Sequence, residues 1–502
     1  MLLSLNKVSF TYDGAIDPLF DEISLSFPTG WTGIVGANGA GKTTLLRLTC
    51  GELQANTGWI HRPETAIYCS QRTDEAPCEL QEFLQSLDPD ACEIRGRMEI
   101  EADWYARWNT LSHGERKRAQ IAVALWRDPD ILALDEPTNH IDADARNLLI
   151  NALGKFRGIG LLVSHDRELL DRLCSQCIFV EPPNVIMRPG NYTQSSQQAE
   201  MEDMYARDKY EQAKAAAEKL KKEYTRRREE ASHADNKRSK RHLNPRDHDA
   251  AGKIDAARVS GADGKAGRLA NQMAGRVQRA QSVLDDFDIK RRYETHFWLP
   301  GSKSTRDLLF TLPAGRIELG EGKYLSFPEL SMTPQDRIGI TGPNGSGKST
   351  LIRHLLNHIS LPEGKLIYLP QEIDMAQSRQ IMEEVNSLPR ERLGRVMTIV
   401  SCLGSRPARL IGSTESSPGE IRKILLALGV SNAPHLIIMD EPTNHLDLPA
   451  IKCLENALAD CPCGLLLVSH DFQFLSRLTS IRWQLSPDKA GNVRLHIADG
   501  IS

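Results

Sequence analysis

The sequence lacks an apolar run long enough to cross a membrane. Its most apolar segments, 158–163 and 464–468, are short and end in polar motifs, whereas a membrane helix needs about twenty predominantly apolar residues. The first residues, MLLSLNKVSF, also lack the charged and then apolar order that is typical of a signal peptide. We therefore expect no membrane domain in this chain and a cytoplasmic location.

The cysteines are not spaced as a zinc module requires. Of the ten cysteines, only Cys174 with Cys177 and Cys461 with Cys463 lie close together, and neither pair has a second pair at zinc-like spacing. A cysteine-rich module for an iron–sulfur cluster is missing as well. The pattern predicts reduced thiols of structural importance.

A large excess of charge of one sign is also missing. The formal net charge is −4 over 502 residues, with 25% charged and 40% hydrophobic residues. This composition is typical of a globular protein, and the length predicts about two to four domains. Attraction to nucleic acid would therefore have to come from a local patch.

An internal repeat is the strongest feature that the sequence does contain. Matched Lys, Glu and His residues of the two copies lie 306, 305 and 305 positions apart. This common register indicates a duplicated domain with extra material between the copies. The matched segments are GIVGANGAGKTT at 33–44 with GITGPNGSGKST at 339–350, ILALDEPTNHID at 131–142 with LIIMDEPTNHLD at 436–447, and LLVSHD at 161–166 with LLVSHD at 466–471.

Each copy has a phosphate-loop pattern between an apolar strand and a helix. Glycines let backbone N–H groups turn toward a phosphate, the lysine neutralises phosphate oxygens, and the hydroxyl after it suits Mg²⁺. The predicted nucleotide-binding residues of the loops are Gly36, Ala37, Asn38, Gly39, Ala40, Gly41, Lys42, Thr43 and Thr44 in the first copy, and Gly342, Pro343, Asn344, Gly345, Ser346, Gly347, Lys348, Ser349 and Thr350 in the second.

Acidic pairs and histidines follow further apolar strands in both copies. The first carboxylate of a pair can hold Mg²⁺, and the second can orient or deprotonate the attacking water. A histidine recurring at matched spacing favours a γ-phosphate contact over a packing role. The predicted catalytic residues are Glu136, Glu441, His165 and His470, and the predicted metal-binding residues are Thr43, Gln71, Asp135, Ser349, Gln371 and Asp440.

These motifs resemble those of the ATP-binding cassette superfamily, and the resemblance covers both repeats. The superfamily signature is matched by LSHGE at 111–115 and by SSPGE at 416–420. The resemblance implies an α/β fold in which two tandem P-loop cassettes form a head-to-tail sandwich within a monomer and hold ATP with Mg²⁺ between them. The signature residues implied to contact the opposite phosphate loop are Ser112, Gly114, Ser417 and Gly419.

The two copies depart from the superfamily pattern in different ways. Pro418 replaces a signature glycine and removes a backbone N–H donor, so we expect a weaker grip on the γ-phosphate in the first site, which contains Lys42. Tyr12 stands where the family has an aromatic residue that stacks on adenine, whereas the stretch 317–319 has none. We expect adenine recognition to differ between the sites, although both acidic pairs predict hydrolysis.

The insert between the copies is helical and basic. Apolar residues recur at steps of three and four in 210–224 and 273–287, which predicts two amphipathic helices in an antiparallel arm. Between 221 and 280, Lys and Arg are about twice as numerous as Asp and Glu, which favours RNA contact over a solvated face. The predicted RNA contacts are Arg226, Arg227, Arg228, Lys237, Arg238, Lys240 and Arg241.

Two fused cassettes with a basic helical linker and no membrane domain resemble the ABC-F family. The predicted domains are a first cassette at 1–192, the arm at 193–300 and a second cassette at 301–502. The resemblance implies a ribosome-associated ATPase that contacts rRNA, or also tRNA, and either modulates translation or protects ribosomes from antibiotics. Two alternatives are the ATP-hydrolysing subunit of a membrane transporter, which leaves the insert unexplained, and a DNA-acting ATPase.

Overall fold

The computed structural model describes residues 2–138, 141–237, 264–285, 302, 304–320, 322–405, 410, 418–444, 446–488 and 491–499, with the backbone alone for 230–237, 264–268, 270, 418 and 499. Two compact units are present. One combines Met1–Ser195 with Tyr293–Ser502, and the other is Ser196–Arg292. The first unit therefore contains both copies of the repeat.

The first cassette is built on a six-stranded sheet of order β5-β6-β7-β3-β8-β9, and a three-stranded antiparallel sheet has the order β2-β1-β4. Its strands are β1 (Leu3–Phe10), β2 (Phe20–Phe27), β3 (Gly30–Gly36), β4 (Thr57–His61), β5 (Ala66–Cys69), β6 (Ile131–Asp135), β7 (Ile159–Val163), β8 (Cys174–Glu181) and β9 (Asn184–Pro189). Its helices are α1 (Lys42–Cys50), α2 (Leu80–Gln85), α3 (Pro89–Met98), α4 (His113–Trp126), α5 (Ala143–Leu153) and α6 (Arg167–Leu173).

The described residues between the cassettes, 192–237 and 264–285, are helical, as predicted. Their helices are α7 (Tyr192–Lys237) and α8 (Gly264–Asp285). The first of them begins at Tyr192, well before the periodic pattern that starts at Tyr210. No helix among the described residues is long and apolar enough to span a membrane.

The second cassette repeats this plan with an eight-stranded sheet of order β11-β12-β19-β18-β14-β17-β16-β15 and a β10-β13 pair. Its strands are β10 (Phe310–Leu312), β11 (Gly315–Gly320), β12 (Lys323–Phe327), β13 (Leu330–Met332), β14 (Arg337–Thr341), β15 (Leu366–Leu369), β16 (Leu436–Asp440), β17 (Gly464–Val468), β18 (Ile481–Pro487) and β19 (Val493–Asp499). Its helices are α9 (Lys348–Leu356), α10 (Met375–Ser387), α11 (Arg390–Cys402), α12 (Pro418–Val430), α13 (Leu448–Ala459) and α14 (Phe472–Leu478). The predicted fold class of two tandem α/β P-loop cassettes with helices between them is confirmed, and the antiparallel arrangement of the two arm helices stays a prediction.

Parallel pairing of the central strands brings the predicted site residues together. Strands β6 and β7, and likewise β16 and β17, are buried at every position, as expected for parallel strands covered on both faces. In the first cassette β7 pairs in parallel with both β3 and β6. Loops that follow the carboxyl ends of parallel strands meet at one edge of a sheet. The phosphate loop, acidic pair and histidine of each cassette follow three such strands.

The two cassettes share part of their packing. One apolar core contains buried residues of both, including Leu149 and Ile150 in α5 and Ile451 and Leu454 in α13. Next to these helices, Arg167 Nη1 of the first cassette lies 2.7 Å from Glu455 Oε1 of the second, whose side chain is only 1% exposed. The interface therefore combines apolar contact with a buried ion pair.

One cysteine pair differs from the prediction. Cys461 and Cys463 form a disulfide, with their Cα atoms 5.6 Å apart, while the other eight cysteines are free thiols. The expectation of reduced thiols is thus wrong for this pair. The sequence separation alone could not reveal it, because pairing depends on how the local backbone orients the two side chains.

Candidate ATP sites

Each phosphate loop enters its helix through a glycine in the left-handed region. Gly41 caps α1 with a φ of 97°, and Gly347 caps α9 with a φ of 86°. A Cβ at Gly347 would lie 2.6 Å from Leu319 Cδ2, so backbone conformation and packing both require glycine. The resulting turn presents backbone N–H groups at a helix N-terminus, which is a favourable place for a phosphate.

The loop lysines fold back over their own loops. Lys42 Nζ donates to the carbonyls of the first two loop residues at 2.9 and 3.1 Å, and Lys348 Nζ does the same at 2.8 and 3.0 Å. Both side chains are buried, and this burial lowers the pKa of each lysine. A phosphate entering either loop would thus meet an ammonium group that is already held in place.

Oxygen atoms suited to Mg²⁺ lie beside each loop. Thr43 Oγ1 donates to Asp135 Oδ2 at 2.7 Å, and the Tyr68 hydroxyl donates to the same oxygen at 3.1 Å. Burial raises the pKa of Asp440, while the Ser349 hydroxyl lowers it. Both Asp440 carboxylate oxygens are buried, and neither accepts a hydrogen bond of good geometry from the described residues. Hydroxyl and carboxylate oxygens of this kind fit Mg²⁺.

The second carboxylate of each acidic pair contacts the histidine of the same cassette. The Glu136 carboxylate accepts the backbone N–H of His165 at 3.2 Å and lies 3.1 Å from His165 Nε2. For Glu441 and His470 the same distances are 3.3 and 3.5 Å. Both glutamates have positive φ, 47° and 49°, a conformation that costs a non-glycine residue free energy and is frequent at functional sites.

Burial sets the protonation of these groups. It raises the pKa of Glu136 and of Glu441 to about 7, with the nearby lysines acting in the opposite direction. It also lowers the pKa of His165 to about 3 and of His470 to about 4. Near neutral pH both histidines are therefore uncharged. Each glutamate is then close to the midpoint of its titration, which suits a general base.

A cavity of about 430 Å³ at the second site is lined by both cassettes. From the second cassette it is lined by the loop residues Lys348 and Ser349 together with Gln371, Glu441 and His470. The residues of the first cassette in its wall are Thr138, Ile141, Arg146, His165 and Asp166. The second site is therefore built at the interface between the cassettes. Gln71 and Gln371 are both exposed, each just after its strand, β5 or β15.

The structure describes only some of the predicted signature residues. Ser112 caps α4 in a capping box with Glu115, and Gly114 lies in the first turn of that helix. Neither residue lines the cavity of the second site. Gly419 lies in the first turn of α12, and Ser417 lies outside the described residues. Contact between each signature and the opposite phosphate loop stays a prediction.

Two aspartates that the sequence analysis did not single out reach across the interface. Asp447 Oδ2 accepts the backbone N–H of Asn38 at 2.7 Å, and Asp142 Oδ2 accepts that of Asn344 at 3.4 Å. The other carboxylate oxygen of each caps its own helix, α13 or α5. The sequence feature that could have identified both aspartates is their position at the end of the repeated segment. Each phosphate loop is thus in contact with the opposite cassette.

Buried cations at matched positions hold the strand ends that carry the acidic pairs. Lys117 Nζ donates to the carbonyl of Asp135 at 3.3 Å, and Arg422 Nη2 donates to the carbonyls of Asp440 and Glu441 at 2.8 and 3.0 Å. Lys117 and Arg422 are 305 positions apart. Their common spacing in the repeat was the signal that could have found them.

The expected adenine ends of the sites have different side chains. The Tyr12 hydroxyl lies 2.7 Å from Thr44 Oγ1, and the tyrosine is 46% exposed, which leaves ring surface available for stacking. At the second site Leu319 lines the cavity together with Thr350. Leucine offers an apolar contact but lacks the aromatic face that stacks on a base.

The basic residues of α7 are described in part. Arg226 and Arg227 pair with Glu223 at 2.8 and 2.9 Å, and Arg228 is exposed. The backbone alone is described for Lys237. The predicted contacts Arg238, Lys240 and Arg241 lie outside the described residues.

Comparison with known proteins places these sites in a family. The family model described as ABC transporter matches residues 20–139 and 325–444. The ribosome protection protein VmlR of Bacillus subtilis (strain 168) is 28% identical over 97% of this chain and 87% of its own length. The energy-dependent translational throttle protein EttA of Escherichia coli (strain K12) is 27% identical over 92% of this chain and 88% of its own length. The chain thus carries two ATP-binding cassettes in tandem and is similar to these ABC-F proteins over nearly its whole length.

Solved structures show a similar fold with two tandem cassettes. The RNase-L Inhibitor structure has a TM-score of 0.64 at 17% identity, covering 99% of this chain and 91% of the other. The archaeal ribosome recycling factor aABCE1, solved in complex with the ribosomal stalk protein aP1, has a TM-score of 0.63 at 17% identity, covering 97% and 89%. These values show a shared fold. The cassettes of the matched family model are ATPases, so ATP hydrolysis by this chain is supported at the family level.

Proposed function

We propose that this protein is a cytoplasmic, ribosome-associated ATPase that couples closure of its two cassettes on ATP to a change in translation. The observation that carries the ATP-driven step is the cavity of the second site, because residues of both cassettes line it. A nucleotide bound there would stabilise the closed arrangement by its contacts with both sides. The ribosome enters from the printed names of VmlR and EttA, which align with nearly the whole chain.

The site residues support hydrolysis by a common arrangement in both cassettes. The loop lysines would bind phosphate, and the hydroxyl, carboxylate and glutamine oxygens of each site would hold Mg²⁺, which neutralises phosphate charge when bound. Glu136 and Glu441 would orient the attacking water and accept its proton. The neutral His165 and His470 would each donate a hydrogen bond toward the γ-phosphate.

The insert is proposed to carry the contact with RNA. In the proposed division, a basic arm at 193–300 joins cassettes at 1–192 and 301–502 of a monomer. Arg226–Arg228 and the basic segment 237–241 would contact phosphates of rRNA, or also of tRNA. Charge reversal of Arg226–Arg228 is expected to weaken ribosome binding and to reduce its salt dependence, with basal ATP hydrolysis unchanged.

Sedimentation tests the proposed function directly. E136Q combined with E441Q should slow hydrolysis while ATP still binds, so the protein should sediment with ribosomes when ATP is supplied and leave them when it is removed. K42A combined with K348A is the matched control, because it weakens phosphate binding and should not sediment with ribosomes even with ATP. Recovery of the Glu-to-Gln variant with membranes alone would contradict the proposal and favour a transporter subunit.

Protection against antibiotics is the finer part of the proposal. It rests on the name of VmlR as a ribosome protection protein. Cells that overproduce this chain should then grow at raised concentrations of at least one ribosome-targeting drug, compared with cells that overproduce K42A/K348A. Equal susceptibility across a panel of such drugs would favour a general role in translation.

A further inference from the structure

Arg146 contacts the histidine segments of both ATP sites. It lies in α5 of the first cassette, and its side chain is 11% exposed. Its Nη1 donates to the backbone carbonyl of His470, across the interface, at 3.3 Å. Within its own cassette the guanidinium pairs with Asp166 at 3.5 Å and with Glu168 at 2.8 Å. Arg146 also lines the cavity of the second site.

The partners of Arg146 adjoin both proposed catalytic histidines. His470 belongs to the second site, and Asp166 directly follows His165 of the first. Asp166 also fixes the start of α6, because its Oδ1 accepts the backbone N–H of Leu169 at 3.1 Å. A guanidinium is planar and has donors in fixed directions. Movement of one histidine segment is therefore transmitted through this side chain to the other.

The charges nearby favour the same connection. Asp166 and Asp471 are the matched aspartates of the two histidine segments. Burial and the charge of Asp471 raise the pKa of Asp166, while Arg146 lowers it. The guanidinium thus offsets an unfavourable approach of two carboxylates from opposite cassettes. Without Arg146, the approach of the two segments would be less favourable.

The repeat contains no second arginine at the matched position. At the spacing of 305 that relates the two histidines, Arg146 corresponds to Ile451, which is 1% exposed. An isoleucine side chain cannot donate to the carbonyl of His165. The connection therefore comes from the first cassette alone at this pair of positions.

We propose that Arg146 is a positioning residue that couples hydrolysis at one ATP site to closure of the other. When ATP closes the second site, the His470 segment is held, and Arg146 holds the Asp166 and His165 segment with it. Opening at either site disturbs the other through the same side chain. This inference rests on the proposed hydrolysis at both sites and is independent of the ribosome.

Additivity of the two sites tests the coupling in the purified full-length chain. E136Q leaves hydrolysis to the second site, and E441Q leaves it to the first. With coupled sites, the summed kcat of the two single variants should be about one tenth of the kcat of the unmodified chain. When Arg146 is replaced by isoleucine, the kcat values of R146I/E136Q and R146I/E441Q should add up to nearly the kcat of R146I alone.

Several controls separate coupling from a general loss of structure. R172I removes another arginine that pairs with Glu168, at 3.5 Å. With R172I, the summed kcat of the two Glu-to-Gln variants should stay at about one tenth of the kcat of R172I alone. R146K should restore part of the coupling because it keeps a cation, and R146Q replaces R146I if thermal unfolding shows that R146I does not fold. A purely structural role would lower all rates by a common factor and leave the ratio unchanged.

The outcomes distinguish this inference from the proposed function. An unchanged ratio in R146I, additive sites in the unmodified chain, or a loss of coupling in R172I would each overturn the role of Arg146. Absence of any ATP hydrolysis by the unmodified chain would overturn the proposed function, and the coupling with it. Hydrolysis without ribosome binding would contradict only the proposed partner.

Discussion

Compared with the second ATP site, the first has the shorter contact between its phosphate loop and the opposite cassette. The N–H of Asn38 lies 2.7 Å from Asp447 Oδ2, whereas that of Asn344 lies 3.4 Å from Asp142 Oδ2. The contacts of the glutamates with their histidines are nearly the same in both sites. The copies thus retain the groups proposed to act on phosphate and water, and they differ where each cassette meets the other.

The two copies also differ in the charged residues that they place at the interface between the cassettes. Glu455 is held by Arg167 at 2.7 Å and by Arg477 at 3.1 Å. At the spacing of 305, Arg167 corresponds to Phe472 and Glu455 to Ile150. The residues matched to the cross-cassette ion pair are therefore both apolar. A duplicated domain can vary such contacts because they affect how the halves close without changing the chemistry.

Neutralising the buried ion pair should have the largest effect. E455Q removes the carboxylate that pairs directly with the buried Arg167, so we expect a loss of about 3 kcal/mol in the free energy of unfolding. Urea denaturation followed by circular dichroism measures it. R167F combined with E455I installs the residues found at the matched positions and should recover most of the stability. An equal loss in the double variant would show that the pair is not what stabilises this flank.

Removing the cross-cassette aspartates should reveal the inequality of the two sites. D447A breaks the shorter contact to the first phosphate loop, and we expect about a hundredfold loss of kcat there, because small misplacements of reacting groups are costly. D142A breaks the longer contact and should affect the second site less. The first rate is read in the E441Q background and the second in the E136Q background. Equal losses would contradict the ranking.

The pH dependence should be alike at both sites. The glutamates act as bases only when ionised, and their pKa values of about 7 predict that kcat rises about tenfold from pH 6 to pH 8. The histidines have pKa values of about 3 and 4, so they stay neutral throughout this range. Profiles measured with E136Q and with E441Q should have the same midpoint. A rate that falls as pH rises would argue against glutamate as the base.

The smallest effect is expected at Tyr12. Y12A removes the exposed ring beside α1 and should raise the KM for ATP of the first site about fivefold, in line with the loss of one stacking contact. Y12F removes the hydrogen bond to Thr44 but keeps the ring, and should change the KM less. Steady-state kinetics in the E441Q background measures both variants. A larger effect of Y12F than of Y12A would exclude stacking.

The parts of the site that depend on local backbone were predictable from the sequence. Phosphate loops such as 36–44 consist of consecutive residues, and acidic pairs such as Asp135-Glu136 directly follow an apolar strand. Both motifs can therefore be recognised in the sequence without a structure. Repetition with a common spacing then separated them from chance. The start of α7 at Tyr192 was missed because polar residues there continue the helix without an apolar pattern.

The contacts between the cassettes could not be predicted in the same way. Arg146, Asp142 and Asp447 act on residues hundreds of positions away, and their side chains are ordinary for a helix or its cap. Only the docking of α5 and α13 brings them to the opposite cassette. A comparison of the copies does mark Arg146 and Arg167 as positions where an arginine in one copy is apolar in the other.

The Arg167–Glu455 pair also has a consequence for which cassettes can associate. Two first cassettes facing each other would place Arg167 opposite Ile150, and two second cassettes would place Glu455 opposite Phe472. Either homotypic assembly would bury an ionic group against an apolar side chain, which disfavours the wrong partner. The ion pair thus favours association of a first cassette with a second one over association of two identical cassettes.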